Sequence, residues 1–282
     1  ATFYSRADVF KNLGFETYTS KEYMDVSNTT ENGWLKDEVL IGHILDCLES
    51  TARRDFIYTI SVQGHGEYPT EQVLEDPAIQ VTGAETEEKN YQWEYYVNQL
   101  HEMDQFIVDL IDALDAYGED YVLVMYGDHL PTLGLTVEDV SNRYLFDTSY
   151  VIVDNIGLEK EDDTLCSYQI AAEVLDRVDI HVGTMMQYHQ ARRKTKWYLP
   201  DMELLQYDLL YGERYAYDMD GETPYETLDM QMGIRQPEIR NVVALEEMTY
   251  VFGQNFTTAT KVYVDGEYQS TKYMNDHVLQ LK

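Results

Sequence analysis

The strongest constraint on this chain is a pair of short apolar runs separated by one long helical stripe. The runs are Phe56-Ile57-Tyr58-Thr59-Ile60 and Tyr121-Val122-Leu123-Val124-Met125-Tyr126, both rich in β-branched or aromatic residues, with glycine following. Runs of this length and composition predict buried strands. Between them Trp93, Val97, Leu100, Met103, Ile107, Leu110, Ile111 and Leu114 recur at spacings of three and four, which predicts an amphipathic helix. Gly118 suits the left-handed position just past its C-terminus. A third strand is predicted at Tyr150-Val151-Ile152-Val153, and Ile170, Val174, Leu175 and Val178 mark a further helix. Alternation of strand and helix predicts an α/β fold with helices on both faces of a sheet.

Upstream, Val9 and Leu13 and then Val39 to Leu48 predict two more helices, with a turn at Gly14-Phe15 after the first. Leu204, Leu205, Leu209 and Leu210 predict a helix closing the α/β unit. From about Met230 the pattern alternates and is rich in turns, and Asp265-Gly266 inside Val262 to Tyr268 predicts a hairpin. Two domains are expected: an α/β domain over 1–212, and a linker with a small β-rich module over 213–282. The acidic cluster Glu159 to Asp163 is expected to be a solvated helix start.

The 20 basic and 52 acidic residues leave a formal charge of -32, and a field of that sign repels phosphate backbones, so nucleic acid is not an expected partner. No stretch approaches the ~18 to 20 apolar residues of a membrane span, so this stretch of chain is expected to be soluble. Any targeting or anchoring segment is expected to lie outside it or not to exist. Cys47 and Cys166 are too few for a disulfide framework and are expected to be buried thiols. The 25 tyrosines against eight phenylalanines favour wet aromatic surface of the kind that lines sugar or headgroup clefts, beside the plainer reading of an acidic protein's interior and rim.

Three segments carry the candidate chemistry. Gly127-Asp128-His129-Leu130-Pro131 stands at the C-terminal end of the strongest predicted strand, the edge at which open α/β sheets bind ligands. A carboxylate beside an imidazole offers one oxygen and one nitrogen to a divalent cation; the alternative is a turn-capping Asp next to an exposed histidine. Ser61-Val62-Gln63-Gly64-His65-Gly66 follows the earlier run, and its glycines leave the His65 ring accessible to an anionic or hydroxyl oxygen. Near the start, Tyr4 and Arg6 would project to one side of an extended segment, where the guanidinium clamps a phosphate or sulfate and the ring stacks on a small polyol; the alternative for Arg6 is a surface ion pair in a chain with many acids.

Phe-Tyr-Ser-Arg at 3–6, Asn-Leu-Gly-Phe at 12–15, Gly-Trp at 33–34, the segment 56–66 and Met-Tyr-Gly-Asp-His-Leu-Pro at 125–131 together resemble lipoteichoic acid synthase-like proteins of the sulfatase and alkaline phosphatase superfamily, over about residues 1–190. The resemblance implies a sulfatase-like sheet lacking its N-terminal strands. It also implies a catalytic domain on the extracellular face of the cell membrane that moves phosphoglycerol from a lipid phospho-headgroup to a cell-envelope polymer through a covalent threonine intermediate. Asp128 and His129 are then ligands of Mn2+ or Mg2+, and Tyr4, Arg6 and His65 contact the headgroup. The family's nucleophilic threonine and first glutamate ligand come from upstream segments, so no catalytic nucleophile is expected here, metal binding is expected to be weak, and no turnover is expected. Hydrolysis of sulfate or phosphate esters, with Ca2+ in a sulfatase, is the enzymatic alternative. A non-catalytic surface binding protein is the third. Tyr250 to Phe256 followed by Lys261 to Gly266 resembles the immunoglobulin-like IPT/TIG fold over about 50 residues.

Overall fold

The computed structural model describes residues 3–24, 26–216, 229–246 and 248–281. Most of the expected linker, residues 217–228, lies outside them. In chain order the elements are α1 (Arg6–Asn12), β1 (Thr17–Tyr18), α2 (Val39–Ser50), α3 (Glu87–Tyr117), β2 (Val122–Tyr126), β3 (Tyr150–Asp154), α4 (Ile170–Arg177), α5 (Thr184–Arg192) and α6 (Tyr198–Leu210). The strands β4 (Gln231–Met232), β5 (Glu238–Leu245), β6 (Met248–Gln254), β7 (Val262–Val264), β8 (Glu267–Gln269), β9 (Thr271–Asn275) and β10 (Val278–Leu281) follow. The mixed α/β class expected from the sequence is the class observed, with an antiparallel, strand-rich C-terminal part. No helix among the described residues is long and apolar enough to cross a membrane.

The chain divides into two compact units, Ala1–Val153 with Thr227–Lys282, and Asp154–Glu226. In the first, α3 is the organising element. Thr86 caps its start by accepting the Lys89 N–H at 3.2 Å, and Gly118, at φ 83°, ends it as its own N–H reaches the Leu114 carbonyl. Its inward face differs from the apolar stripe. Tyr95, Leu110 and Leu114 are buried, but so are Asn98 and Gln99, while the stripe residue Leu100 is exposed. The polar pair is inward because it ties down loops: Asn98 bonds both the N–H and the carbonyl of Ile79, and Gln99 accepts from the Gln63 amide at 3.0 Å.

β2 and β3 form a two-stranded sheet, and the run 56–60 joins no ladder among the described residues. The buried strand expected there is therefore corrected to an unpaired segment, with Phe56 76% exposed and Ile60 40% exposed. β2, with a single partner strand, is only half-buried. Apolar, β-branched composition favours extended backbone, but a strand also needs a neighbour to accept and donate its ladder hydrogen bonds.

The C-terminal sheet runs β5-β6-β10-β9, all antiparallel. Its core is Val251, Phe256, Val262, Leu279 and Leu281. The expected hairpin pairs β7 with β8 through Asp265 and Gly266 at φ 52° and 85°, the left-handed pair that a tight two-residue turn demands.

In the second unit, Arg193 bonds Asp163 at 2.7 Å and also Glu173, which faces Arg177 at 3.6 Å. The acidic cluster 159–163 is thus irregular chain that supplies Asp163 to Arg193, in place of the expected helix start. Cys47 is half-buried, and burial raises its thiol pKa, whereas Cys166 is exposed, against the expectation for both. Cys166 precedes a short 3-10 turn, where its N–H bonds the Gln169 side chain at 2.8 Å; the demands of that turn hold it at the surface.

Candidate active site

The turn after β2 is fastened to the start of β3. The Gly127 N–H donates to the Ser149 carbonyl at 3.2 Å, and Thr148 Oγ1 donates to the Gly127 carbonyl at 2.7 Å. Asp128 Oδ1 accepts the His129 N–H at 2.9 Å. His129 Nδ1 lies 2.8 Å from the Leu130 carbonyl, which can only accept, so Nδ1 donates there and Nε2 is the ring nitrogen left for a ligand. Nε2 stands 3.7 Å from Asp128 Oδ2, and both side chains are more than half exposed. One oxygen and one nitrogen donor therefore lie side by side, a donor set that suits a divalent cation. Among the described residues there is no cluster of three or more His, Cys, Asp or Glu able to hold a metal, so this pair by itself does not make a metal site.

His65 is exposed on a loop held from several directions. Asp37, 2% exposed, accepts the N–H groups of Val62 and Gln63 at 2.9 and 3.3 Å, and Gln63 Oε1 accepts the Asp37 N–H at 2.9 Å. The Gln63 amide donates to Gln99 and Glu102. Burial pushes the Asp37 carboxyl above the ordinary Asp value, and the two N–H donors oppose that. The Trp34 indole N–H donates to the Gly66 carbonyl at 3.2 Å, its ring lies 4.8 Å from the imidazole of His65, and the Asn32 amide reaches the Glu67 carbonyl.

This loop adjoins the segment after β2. A Cβ on Gly66 would lie 2.8 Å from Thr132 Oγ1. Tyr68, whose hydroxyl bonds the Gly64 carbonyl at 3.1 Å, packs with Tyr95 and Leu133. Only glycine fits at 66 without displacing its neighbour.

Tyr4 and Arg6 do not lie on an extended segment as expected. Phe3–Ser5 is a 3-10 turn in which Tyr4 and Ser5 take φ 51° and 50°, and Arg6 opens α1. Left-handed dihedrals at two successive residues turn the chain, which removes the two-residue alternation of a strand. Phe10, four residues after Arg6 and so on the same side of α1, packs edge-on against Tyr58 with 6.0 Å between centroids. The Tyr126 hydroxyl donates to that of Tyr58 at 3.2 Å, and this bond, with burial, pushes the Tyr126 hydroxyl up to about 12. A relay of rings thus joins α1 to the end of β2, two residues before Asp128.

Sequence reasoning gave no role to Trp34, Asp37 or Gln63. It also did not single out a cleft of about 330 Å³ beside His129 that includes Tyr96, Asn142, Asp147 and Thr148 in its lining. Gly33-Trp34 is noticeable as a dipeptide, but no local pattern distinguishes Asp37 or Asp147 from the chain's many other acids.

The chain matches the Sulfatase family over residues 1–180. It is 25% identical over 256 residues to the "Putative cyclic beta-1,2-glucan modification protein" of Rhizobium meliloti (strain 1021), an alignment covering 76% of this chain and 40% of that protein. The chain thus spans about two fifths of the length of the curated relative it matches. No solved structure matches it. Members of the sulfatase and alkaline phosphatase superfamily act on sulfate or phosphate esters and use divalent metals. With the family match extending across both the His65 loop and the Asp128–His129 turn, the chain belongs to the sulfatase family.

Proposed function

We propose that this chain carries the metal-binding and headgroup-binding side of an enzyme that transfers phosphoglycerol, or a related phospho-headgroup, from a lipid donor to a glucan at the outer face of the cell membrane. The observation that carries this reading is the packing of the His65 loop against the segment that follows Asp128 and His129, through Gly66 and Thr132. In the reaction the bond from phosphorus to the donor's oxygen breaks, a bond to the acceptor's hydroxyl oxygen forms, and the hydroxyl proton ends on the departing alkoxide. The resemblance to lipoteichoic acid synthase-like proteins divides this into two displacements through an upstream threonine. The glucan acceptor is suggested by the name of the Rhizobium meliloti relative.

Asp128 Oδ2 and His129 Nε2 would hold a divalent metal. That ion, Mn2+ or Mg2+, supplies positive charge to the transferred group when bound. Arg6 offers a bidentate fork to the phosphate oxygens, His65 donates to one of them, and Tyr4 lies against the glycerol. Trp34 keeps the His65 ring in one orientation. With two ligands only, the affinity of this chain for metal is low. A C-terminal module of IPT/TIG type would space the catalytic unit from the cell envelope.

The test is an assay of metal-dependent release of a glycerol phosphate headgroup by the chain extended upstream to include the threonine. Asp128→Ala is expected to abolish release while leaving the fold intact; persistent turnover would remove the ligand assignment. A second reading, ester hydrolysis, is favoured by the family match itself. It prevails if water replaces the glucan as acceptor without loss of rate.

A further inference from the structure

We propose that the cleft beside the Asp128–His129 turn seats one neutral sugar unit of the acceptor, an inference that rests on the transfer reading above. Its volume of about 330 Å³ falls at the low end of small-ligand sites, the size of about one sugar ring. Tyr96, from α3, supplies an aromatic wall, and its edge-on contacts with Tyr68 and Trp93, at 5.4 and 6.1 Å between centroids, fix its orientation. Opposite in chemical character are Asn142 and Asp147, joined by a 3.2 Å hydrogen bond from the Asn142 amide. A carboxylate that accepts from hydroxyls and a ring that lies against C–H groups are together what a pyranose offers partners for.

Charge decides between a sugar and a second anion. Asp147 lines the cleft, Asp128 adjoins it in sequence to the lining residues Gly127 and His129, and the chain carries -32 overall. A phosphate lying against Asp147 meets like charge, whereas a neutral polyol meets acceptors there. On the transfer reading the anionic donor lies at Arg6, His65 and the bound metal, and the uncharged acceptor lies in the cleft. Thr148, also in the lining, bonds the Gly127 carbonyl at 2.7 Å. The wall that would hold the sugar is in this way continuous with the turn that carries the proposed metal ligands.

The experiment titrates the chain with a β-1,2-linked glucose disaccharide and, separately, with glycerol phosphate, following ligand resonances by saturation-transfer NMR. The disaccharide is expected to bind, and Tyr96→Leu and Asp147→Asn each to weaken it by about tenfold. Asp147→Asn keeps an oxygen for the Asn142 amide, so its effect is read with the loop intact, and an unchanged unfolding curve checks this. His65→Ala is expected to weaken glycerol phosphate and leave the disaccharide unaffected. Absence of disaccharide binding, or equal binding by the wild type and Asp147→Asn, overturns the sugar site. If glycerol phosphate binds and the disaccharide does not, the sugar site alone falls. If the disaccharide binds with the expected variant pattern and glycerol phosphate does not bind, the sugar site stands and the transfer reading falls.

Discussion

The two loops that meet at Gly66 and Thr132 are built in opposite ways. The His65 loop is held from below by a buried carboxylate, two backbone N–H groups, a glutamine bridge to α3 and an indole. The Asp128–His129 turn is exposed, and its internal bonds run mainly to neighbouring backbone. On the reading proposed above, the contrast is a division of work within the site. A residue that reads an anion's shape needs a fixed ring, and rigidity comes from burial around it. Metal ligands need lone pairs facing outward, and they acquire their final geometry from the ion and any remaining ligands.

The largest expected effect that would break this comparison is at Asp37. Asp37→Ala leaves the Val62 and Gln63 N–H groups without the carboxylate they donate to, and is expected to cost about 2–4 kcal/mol in chemical unfolding. A loss no larger than that at an exposed acid would show the loop is not anchored there. The pH dependence sharpens the point. Asp37 is raised by burial, so the folded state holds its proton more tightly than the unfolded chain, and this group favours folding as pH falls through its folded value. Asp163, lowered by its bond to Arg193, behaves in the opposite sense and loses its contribution as pH falls. Comparing the pH dependence of unfolding for Asp37→Asn and Asp163→Asn should give differences of opposite sign from the wild type.

Gly66→Ala comes next. The new methyl meets Thr132 Oγ1 and is expected to cost about 1–3 kcal/mol. Thr132→Ala in the same chain should recover part of that loss, and additive double-mutant energies would mean the two loops are not coupled. Trp34→Phe removes the indole N–H from the Gly66 carbonyl while keeping a ring beside His65, an expected cost of about 0.5–1.5 kcal/mol by thermal unfolding. Asp128→Ala is the smallest, within about 0.5 kcal/mol, because the side chain is exposed. A large destabilisation there would show that the turn is structural and erase the contrast.

Much of the scaffold was legible because it depends on short-range periodicity. The spacing from Trp93 to Leu114, the stop at Gly118, strand β2 and the Asp265-Gly266 hairpin follow from local geometry that each segment expresses alone. The candidate site was legible only as a choice of residues: Asp128, His129 and His65 are picked out by the glycines near them. What supports them was not. Asn98 and Gln99 interrupt an apolar pattern with no local sign that loops await them, and Asp37 reads as one acid among 52 acidic residues.

The amino-acid order by itself determined that α3 forms and stops at Gly118, where the hairpin turns, and which short segments hold imidazoles and carboxylates, since these depend on residues within a few positions of one another. Tertiary structure alone decided that 56–60 joins no ladder among the described residues and that Asp37 lies beneath the His65 loop. Each of those outcomes depends on whether a distant partner is present to satisfy a backbone group or exclude water, and contacts of that kind leave no periodic trace in the chain.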